Sequence, residues 1–403
     1  MNLSRRQLLG WSVVAADLVR GQQKQSDEVI ATATQDTTPR VGVVLSSFAE
    51  GSEHDGSKLE GLSSPKPADA ELGADFFDGW VRKAIEMGST RTGDLSSLIG
   101  AEDWVVIKTN ISTCHGLDPS VKDGGAHQPY MPGTVTDLRV VRAVISYLVD
   151  KKCGARITIA EGSEQWLPVE KSKSAVDGWT SEWGGAFDGL SYRKMVADFS
   201  SKNRGVRFEI ADLNSSDSIE LPVPGKAIAR NNPGGTYSIG KVIQQCDKLI
   251  SIAPLKTDAR TGVGLTFSNY AGIASGAKYG FPKDGLWKLG NPDEVVVDLF
   301  SYHPADFCFL GGPYGVEGDG PDGPGAASVH HNLLVTGTKA ASVDAVAAML
   351  MGFSPQQVPY LVLAEKMDYG ATDTDIVWTR GDELEKARRV FRQPSRWKPA
   401  EKK

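Results

Sequence analysis

The apolar residues of this chain follow two alternating patterns. Runs rich in Val and Ile at residues 41–47, 104–110 and 155–162 predict strands. Apolar residues recur at intervals of three and four in residues 76–88 and 138–152, which predicts helices. Strands that alternate with helices predict an α/β fold, in which helices cover both faces of a mainly parallel sheet. The same alternation continues through residues 242–256, 295–312 and 332–353.

One stretch breaks this alternation. Residues 163–200 place Trp166, Trp179 and Trp183 among polar residues and glycines. We interpret the stretch as a Trp-rich insertion, whose tryptophans either anchor it to the main core or line the mouth of a ligand site. The chain has 403 residues, 40% of them hydrophobic, which is enough apolar surface for one large domain or two moderate ones. We place one α/β domain at residues 39–390.

The first residues resemble an export signal. Arg5 and Arg6 directly precede a mildly apolar stretch, residues 8–19, which is too short to span a bilayer comfortably. This pattern is similar to that of twin-arginine signals. We therefore expect a signal peptide over residues 1–33, contact with the twin-arginine export machinery, and a periplasmic or otherwise exported protein with no stable transmembrane span. The alternative is a charged N-terminal arm.

Charge and cysteine content exclude several classes of function. The net charge is −6 and no run of lysines or arginines occurs, so we expect no nucleic acid partner. The four cysteines are scattered and form no CxxC pair, so we expect neither an iron–sulfur cluster nor a cysteine-rich zinc site. Three of them lie in apolar sequence, which predicts small buried side chains: Cys153, Cys246 and Cys308.

Polar side chains follow the predicted strands, at the edge where ligands bind in parallel sheets. A lysine after each of two strands suits a ligand that carries a carboxylate or a phosphate, although a lysine at a strand end can also simply extend into solvent. His115 follows the first of these lysines by seven positions and is a candidate general acid–base. The candidate catalytic residues are Lys108, Lys256 and His115. The candidate ligand-binding residues at these strand ends are Asn110, Glu161, Thr257 and Asp258.

A glycine-rich acidic stretch, GVEGDGPDGPG at residues 315–325, predicts a loop. Its glycines let the backbone approach a ligand closely. Glu317 and Asp319 offer oxygen ligands for Mg²⁺ or Ca²⁺, although the spacing of an EF-hand is absent. Two interpretations stay open. The stretch is either a site for a divalent cation or a polar small molecule, or it is a surface turn with solvated acids.

Asp344 lies in an otherwise apolar predicted helix that follows a strand. The N-terminus of such a helix opens toward the same edge of the sheet, so we predict that Asp344 faces the ligand. If Ser342 is the N-cap, however, Asp344 lies in the first turn, where a carboxylate stabilises a helix without any ligand.

Five sequence blocks occur in an order that resembles the DUF362 family, a group of uncharacterised prokaryotic proteins. The resemblance covers roughly residues 100–380 and implies an α/β fold with a ligand site that includes Asn269, but little chemistry. Some members of the family also contain a ferredoxin-like cysteine cluster, which this chain lacks. The blocks are VVIKTN, TDLRVVRAVISYLVDKKCGARITIAEG, KLISIAPLKTDARTGVGLTFSNYAG, GVEGDGPDGPG and LLVTGTKAASVDAVAAMLMGF.

The chain departs from the pattern expected of this family at three places. Asp258 stands where a histidine is expected after Lys256-Thr257, and Ser268 stands where a lysine is expected before Asn269. A Gly-Gly pair, residues 311–312, replaces an expected Asp-Gly pair.

Two classes of function stay open from the sequence. The first is an exported enzyme that acts on a polar or anionic small molecule, with or without a divalent cation. The second is a non-catalytic protein that binds a solute or cofactor. Solute-binding proteins usually have two similar lobes, and the sequence shows no internal duplication, which favours the enzyme.

Overall fold

The computed structural model of the chain describes residues 38–46, 73–111, 131–162, 187, 190–214, 217–232, 234–280, 282–320, 323, 325–395, 397 and 399. The strands are β1 (Arg40–Leu45), β2 (Trp104–Lys108), β3 (Arg156–Glu161), β4 (Arg207–Asp212), β5 (Ser218–Pro222), β6 (Thr236–Gly240), β7 (Lys248–Ala253), β8 (Thr257–Asp258), β9 (Gly262–Val263), β10 (Phe307–Glu317), β11 (Ala327–Gly337) and β12 (Trp378–Gly381).

The described helices lie between these strands or after the last of them, and four of them follow one another between β9 and β10. They are α1 (Ala74–Gly88), α2 (Leu95–Leu98), α3 (Leu138–Asp150), α4 (Tyr192–Lys202), α5 (Lys241–Gln245), α6 (Thr266–Asn269), α7 (Gly276–Tyr279), α8 (Asp284–Trp287), α9 (Pro292–Phe300), α10 (Ala340–Leu350), α11 (Pro359–Lys366) and α12 (Leu384–Ala387). Short 3₁₀ helices occupy Tyr270–Ile273 and Pro355–Gln357.

Eight of the described strands form one sheet, in the order β12-β1-β11-β10-β7-β2-β3-β4. Neighbouring strands in this sheet are parallel except at β11, which is antiparallel to both β1 and β10. β5 pairs with β6, and β8 pairs with β9, in two separate antiparallel hairpins. The prediction of an α/β fold with a mainly parallel sheet is confirmed.

Helices cover both faces of the sheet, as predicted. Val44, Val105 and Ile107 point to one face, where they pack with α1 and α3. Val43 and Val106 point to the other face and pack with α9, α10 and α11. Successive residues of a strand face opposite sides of a sheet, so the uninterrupted apolar runs of the sequence supply both cores.

The predicted loop at residues 315–325 is shorter than expected. Gly315, Val316 and Glu317 belong to β10, where they pair with the first residues of β11. Position 315 requires glycine because the strand passes close to a neighbouring segment, and a Cβ there would overlap the carbonyl oxygen of Leu255. The acidic loop is therefore the tip of a two-stranded ribbon.

The order of the strands changes direction between β2 and β7. β2, β3 and β4 follow one another toward one edge of the sheet, whereas β7, β10 and β11 follow one another away from it. In open α/β sheets, ligands bind at such a switch point, outside the carboxyl ends of the strands. The fold therefore predicts a site beyond Lys108 and Ala253, which end β2 and β7.

Several predicted features lie outside the described residues. These are the export signal at residues 1–33, His115 and the three tryptophans of the insertion. The described part of the insertion includes most of α4. Cys153, Cys246 and Cys308 are buried, as predicted, and they are free cysteines. Among the helices that the structure describes, none is both long and apolar enough to cross a membrane.

Candidate functional site

A pocket lies at the switch point, beyond the carboxyl ends of β2, β3 and β7. It encloses about 550 Å³, including its open mouth. Some of its wall comes from segments far apart in the chain, since Asn110 and Asn269 are separated by 159 positions yet share a hydrogen bond. The predicted residues that line the pocket are Asn110, Glu161, Lys256, Asp258 and Asn269.

Lys108 lies behind this wall and is fully buried. Its ammonium group lies 3.2 Å from both carboxylate oxygens of Glu161 and donates to Oδ1 of Asn269 at 2.9 Å. The carboxylate of Glu161 also accepts hydrogen bonds from the Thr109 hydroxyl at 3.3 Å and from the Gly162 backbone at 2.8 Å. An ion pair thus lies at the pocket wall, and further hydrogen bonds hold both of its charged groups in place.

Burial shifts both members of this pair toward their neutral forms. Desolvation lowers the pKa of Lys108 and raises the pKa of Glu161, while the attraction between the two groups opposes both shifts. Because the two pKa values move toward each other, transfer of a proton between Nζ and the carboxylate costs less here than in water. Glu161 can therefore give or take a proton at the pocket with Lys108 as its partner.

Glycine lets the backbone pack directly on the buried pair. A Cβ on Gly272 would lie 2.5 Å from Nζ of Lys108 and 3.0 Å from Oε1 of Glu161. A Cβ on Gly162 would in turn overlap the carbonyl oxygen of Gly272. The 3₁₀ helix Tyr270–Ile273 can therefore close one side of the pocket only with glycine at these positions.

Two asparagines connect Lys108 to the second buried lysine. Nδ2 of Asn110 donates to Oδ1 of Asn269 at 3.2 Å, the same oxygen that accepts from Lys108. Nζ of Lys256 donates to Oδ1 of Asn110 and, at 3.3 Å, to the carbonyl oxygen of Thr134. The two predicted lysines, one at the end of β2 and one after β7, therefore belong to one hydrogen-bonded network.

The β8–β9 hairpin forms another side of the pocket. The carboxylate of Asp258 accepts from the backbone of Arg260 at 2.7 Å and of Thr261 at 3.1 Å, which holds the turn between the two strands. The guanidinium of Arg260 lies 4.8 Å from the ring centroid of Trp287, close enough for a cation–π contact. Arg260, Thr261 and Trp287 line the pocket, although the sequence did not single them out.

Asp344 lies outside the pocket wall and is fully buried. Helix α10 begins at Ala340, so Ser342 is not its N-cap and Asp344 lies beyond the first turn. The carboxylate accepts from the backbone of Thr266 at 3.1 Å and of Phe267 at 3.3 Å, at the start of α6. Asp344 therefore holds the helix that ends with Asn269. Burial raises its pKa to about 7.

Thr257, Glu317 and Asp319 also lie apart from the described pocket wall. The Thr257 hydroxyl donates to the carbonyl oxygen of Gly318 at 2.7 Å. The carboxylates of Glu317 and Asp319 accept from the backbone of Arg392 at 2.9 Å and of Ser395 at 2.6 Å. No group of three or more His, Cys, Asp or Glu side chains within the described residues could hold a metal ion. A metal role for the two acids stays a prediction.

Residues 105–349, more than half of the chain, match the sequence model of DUF362, a domain of unknown function. The chain belongs to the DUF362 family. Among curated proteins, none matches its sequence significantly.

The fold of this DUF362 protein is distantly similar to a solved structure, the lactate racemase apoprotein from Thermoanaerobacterium thermosaccharolyticum. The two sequences are 14% identical and the TM-score is 0.33. The match covers 68% of this chain and only 55% of the racemase chain. A likeness this low says nothing about the activity of the DUF362 protein.

Two of the positions at which this DUF362 protein departs from the expected family pattern, Asp258 and Ser268, line the pocket. The Ser268 hydroxyl lies 3.1 Å from that of Thr261, next to the hairpin turn. The Gly-Gly pair at residues 311–312 lies instead in β10, beside an irregularity in its pairing with β11. The first two departures therefore change the charge of the pocket wall itself.

Lys283 is a part of the site that the sequence did not reveal. It is fully buried, and its ammonium group donates to the carbonyl oxygens of Gly162 at 2.8 Å and of Ala271 at 3.2 Å. It also lowers the pKa of Glu161, against the effect of burial. In the sequence it stands between Pro282 and Asp284, which is typical of an exposed turn, so no pattern marks it as buried.

Proposed function

We propose that this DUF362 protein is an exported enzyme that acts on a polar or anionic small molecule in the pocket at the switch point. In this proposal Glu161 transfers a proton to or from the substrate, and Lys108 acts as its buried partner. Lys256 and Arg260 bind the anionic group of the substrate, and the amide of Asn110 orients it.

One observation supports this proposal above the others. Glu161 is 2% exposed, yet it lines a pocket and is paired with a fully buried lysine. A buried ion pair stabilises a fold only weakly, because removing two charges from water costs about as much as their attraction returns. A group whose pKa is shifted by burial and by a specific charged partner, and which lies beside a cleft, is a candidate for proton transfer.

The substitution Glu161→Gln tests the role of this carboxyl. Wild type and E161Q are incubated with a panel of small carboxylates and phosphate esters, and consumption is followed by mass spectrometry. We expect wild type to consume at least one compound about 100-fold faster than E161Q, since glutamine keeps the shape of the side chain but cannot transfer the proton.

The matched control is E383Q, because the side chain of Glu383 is 71% exposed and does not line the pocket. It should keep the wild-type rate. Thermal shifts on the same panel separate binding from turnover. A compound that stabilises all three proteins and is consumed by none would indicate a non-catalytic binding protein. That result would contradict the proposed enzymatic activity.

The export part of the proposal depends on the Arg5-Arg6 pattern. Replacing both arginines with lysine keeps the charge but removes the pair that the twin-arginine receptor recognises. We expect the R5K/R6K variant to accumulate in the cytoplasm, while wild type reaches the periplasm, as measured by cell fractionation and immunoblotting. Equal export of the two proteins would mean that the N-terminus is not such a signal.

A further inference from the structure

We propose that the tail segment, residues 392–395 and 397, is a supporting part of the pocket. Glu317 and Asp319, at the tip of the β10–β11 ribbon, hold this segment in place, and Trp397 in the segment supports the β8–β9 hairpin. The two acids are therefore positioning residues, which act on Asp258 and Arg260 through the tail and the hairpin. The proposal concerns the shape of the pocket wall and does not depend on the reaction.

Both acids of the ribbon tip are bonded to the tail segment. The Arg392 backbone N–H donates to Oε2 of Glu317 at 2.9 Å, and the Arg392 guanidinium lies 3.5 Å from Oε1 of the same carboxylate. Asp319 accepts from the backbone N–H of Ser395 at 2.6 Å and from its hydroxyl at 2.8 Å. Both oxygens of each acid are thus used by the tail, through three charge-assisted hydrogen bonds and one ion pair.

Trp397 connects the tail segment to the hairpin by direct contact. Its indole lies against Gly262, where a Cβ would be only 2.6 Å from Nε1. Gly262 pairs with Asp258 across the hairpin, and Asp258 lines the pocket. The indole therefore packs against β9, the strand that pairs with this part of the pocket wall. The ring of Phe353, whose centroid lies 5.5 Å from that of Trp397, fixes the indole edge to face.

Gly318 joins the ribbon tip to both the tail and the hairpin. Its N–H donates to the carbonyl oxygen of Arg392 at 2.8 Å, and its own carbonyl oxygen accepts from the Thr257 hydroxyl at 2.7 Å. The hairpin is therefore held from one side by Gly318 and from the other by Trp397. It needs such support, because an isolated hairpin of two short strands is barely stable by itself.

Hydrogen exchange measured by mass spectrometry tests this inference without any substrate. We expect amide exchange in residues 257–263 to rise at least about tenfold in both E317A/D319A and W397A, while exchange in β2 and α3 stays as in wild type. The control is Q393A, an exposed change within the same segment, which should match wild type. Unchanged exchange in the hairpin of both variants, or a uniform rise across the whole chain, would overturn the inference.

Calorimetric titration separates the tail from a cation as the partner of the two acids. Wild type and E317A/D319A are titrated with Mg²⁺, Ca²⁺ and Mn²⁺. Equal behaviour of the two proteins supports the tail as the partner. Binding that is at least about tenfold weaker in the variant would show that the acids serve a cation and would overturn the inference. Either result leaves the role of Glu161 to its own experiment.

Discussion

The substitution Lys108→Met is expected to lower the free energy of unfolding by about 3–5 kcal/mol, because it leaves Glu161 buried without the ammonium group that touches it. Asn269 also loses a hydrogen-bond donor. The loss should be larger at pH 8 than at pH 5, since the carboxyl of Glu161 can take up a proton at the lower pH and so remove its uncompensated charge. Chemical denaturation at both pH values measures the effect.

Two further variants show whether charge causes this loss. K278M removes a lysine from an exposed ion pair with Glu220 and should leave stability essentially unchanged. K108M/E161Q should be more stable than K108M and should lose the difference between pH 5 and pH 8, because glutamine does not ionise. If the double variant is no more stable than K108M, lost packing rather than an unpaired charge explains the result.

Wild type is expected to lose stability relative to D344N as the pH rises from about 4 to about 7. Burial raises the pKa of Asp344 from its ordinary value of 3.8 to about 7, so in this window the folded state binds more protons than the unfolded state. Stability then falls with rising pH, by up to about 4 kcal/mol, because one pKa unit corresponds to about 1.4 kcal/mol. Asparagine keeps an oxygen for the backbone donors but has no such titration.

Denaturation curves between pH 4 and pH 8 measure this difference. The control D375N changes an exposed aspartate and should give a curve parallel to that of wild type. Parallel curves for wild type and D344N would mean that Asp344 does not titrate in this range.

The sheet and part of the pocket wall follow from local sequence. Apolar runs that alternate with helical periodicity predict the strands, and the carboxyl ends of parallel strands meet at one edge. This geometry brings Asn110, Glu161 and Lys256 together, as the residues after the strands suggested. The prediction succeeds here because each residue lies next to the strand that positions it.

The sequence does not predict the role of a side chain whose hydrogen-bond partner is distant in the chain. Glu317 meets Arg392, 75 positions further along the chain, and Asp344 meets Thr266 across 78 positions. An acidic glycine-rich segment has the same composition whether it binds a cation or a segment of its own chain. Burial of a lysine such as Lys283 leaves no periodic pattern, because its ammonium group is satisfied by the carbonyl oxygens of Gly162 and Ala271, which are 121 and 12 positions away.

The position of β1 in the sheet has a consequence for biosynthesis. β1 lies between β11 and β12, and the N–H of Leu45 donates to Oδ2 of Asp382, 337 positions later, at 2.7 Å. A ribosome adds about 5–20 residues per second, so β1 emerges roughly 20–70 s before both of its neighbours exist. Until β11 exists, Val41, Val43 and Val44 have no neighbouring strand to pair beside. The nascent chain is therefore expected to need a chaperone at this segment. Polypeptides truncated before β11 should aggregate.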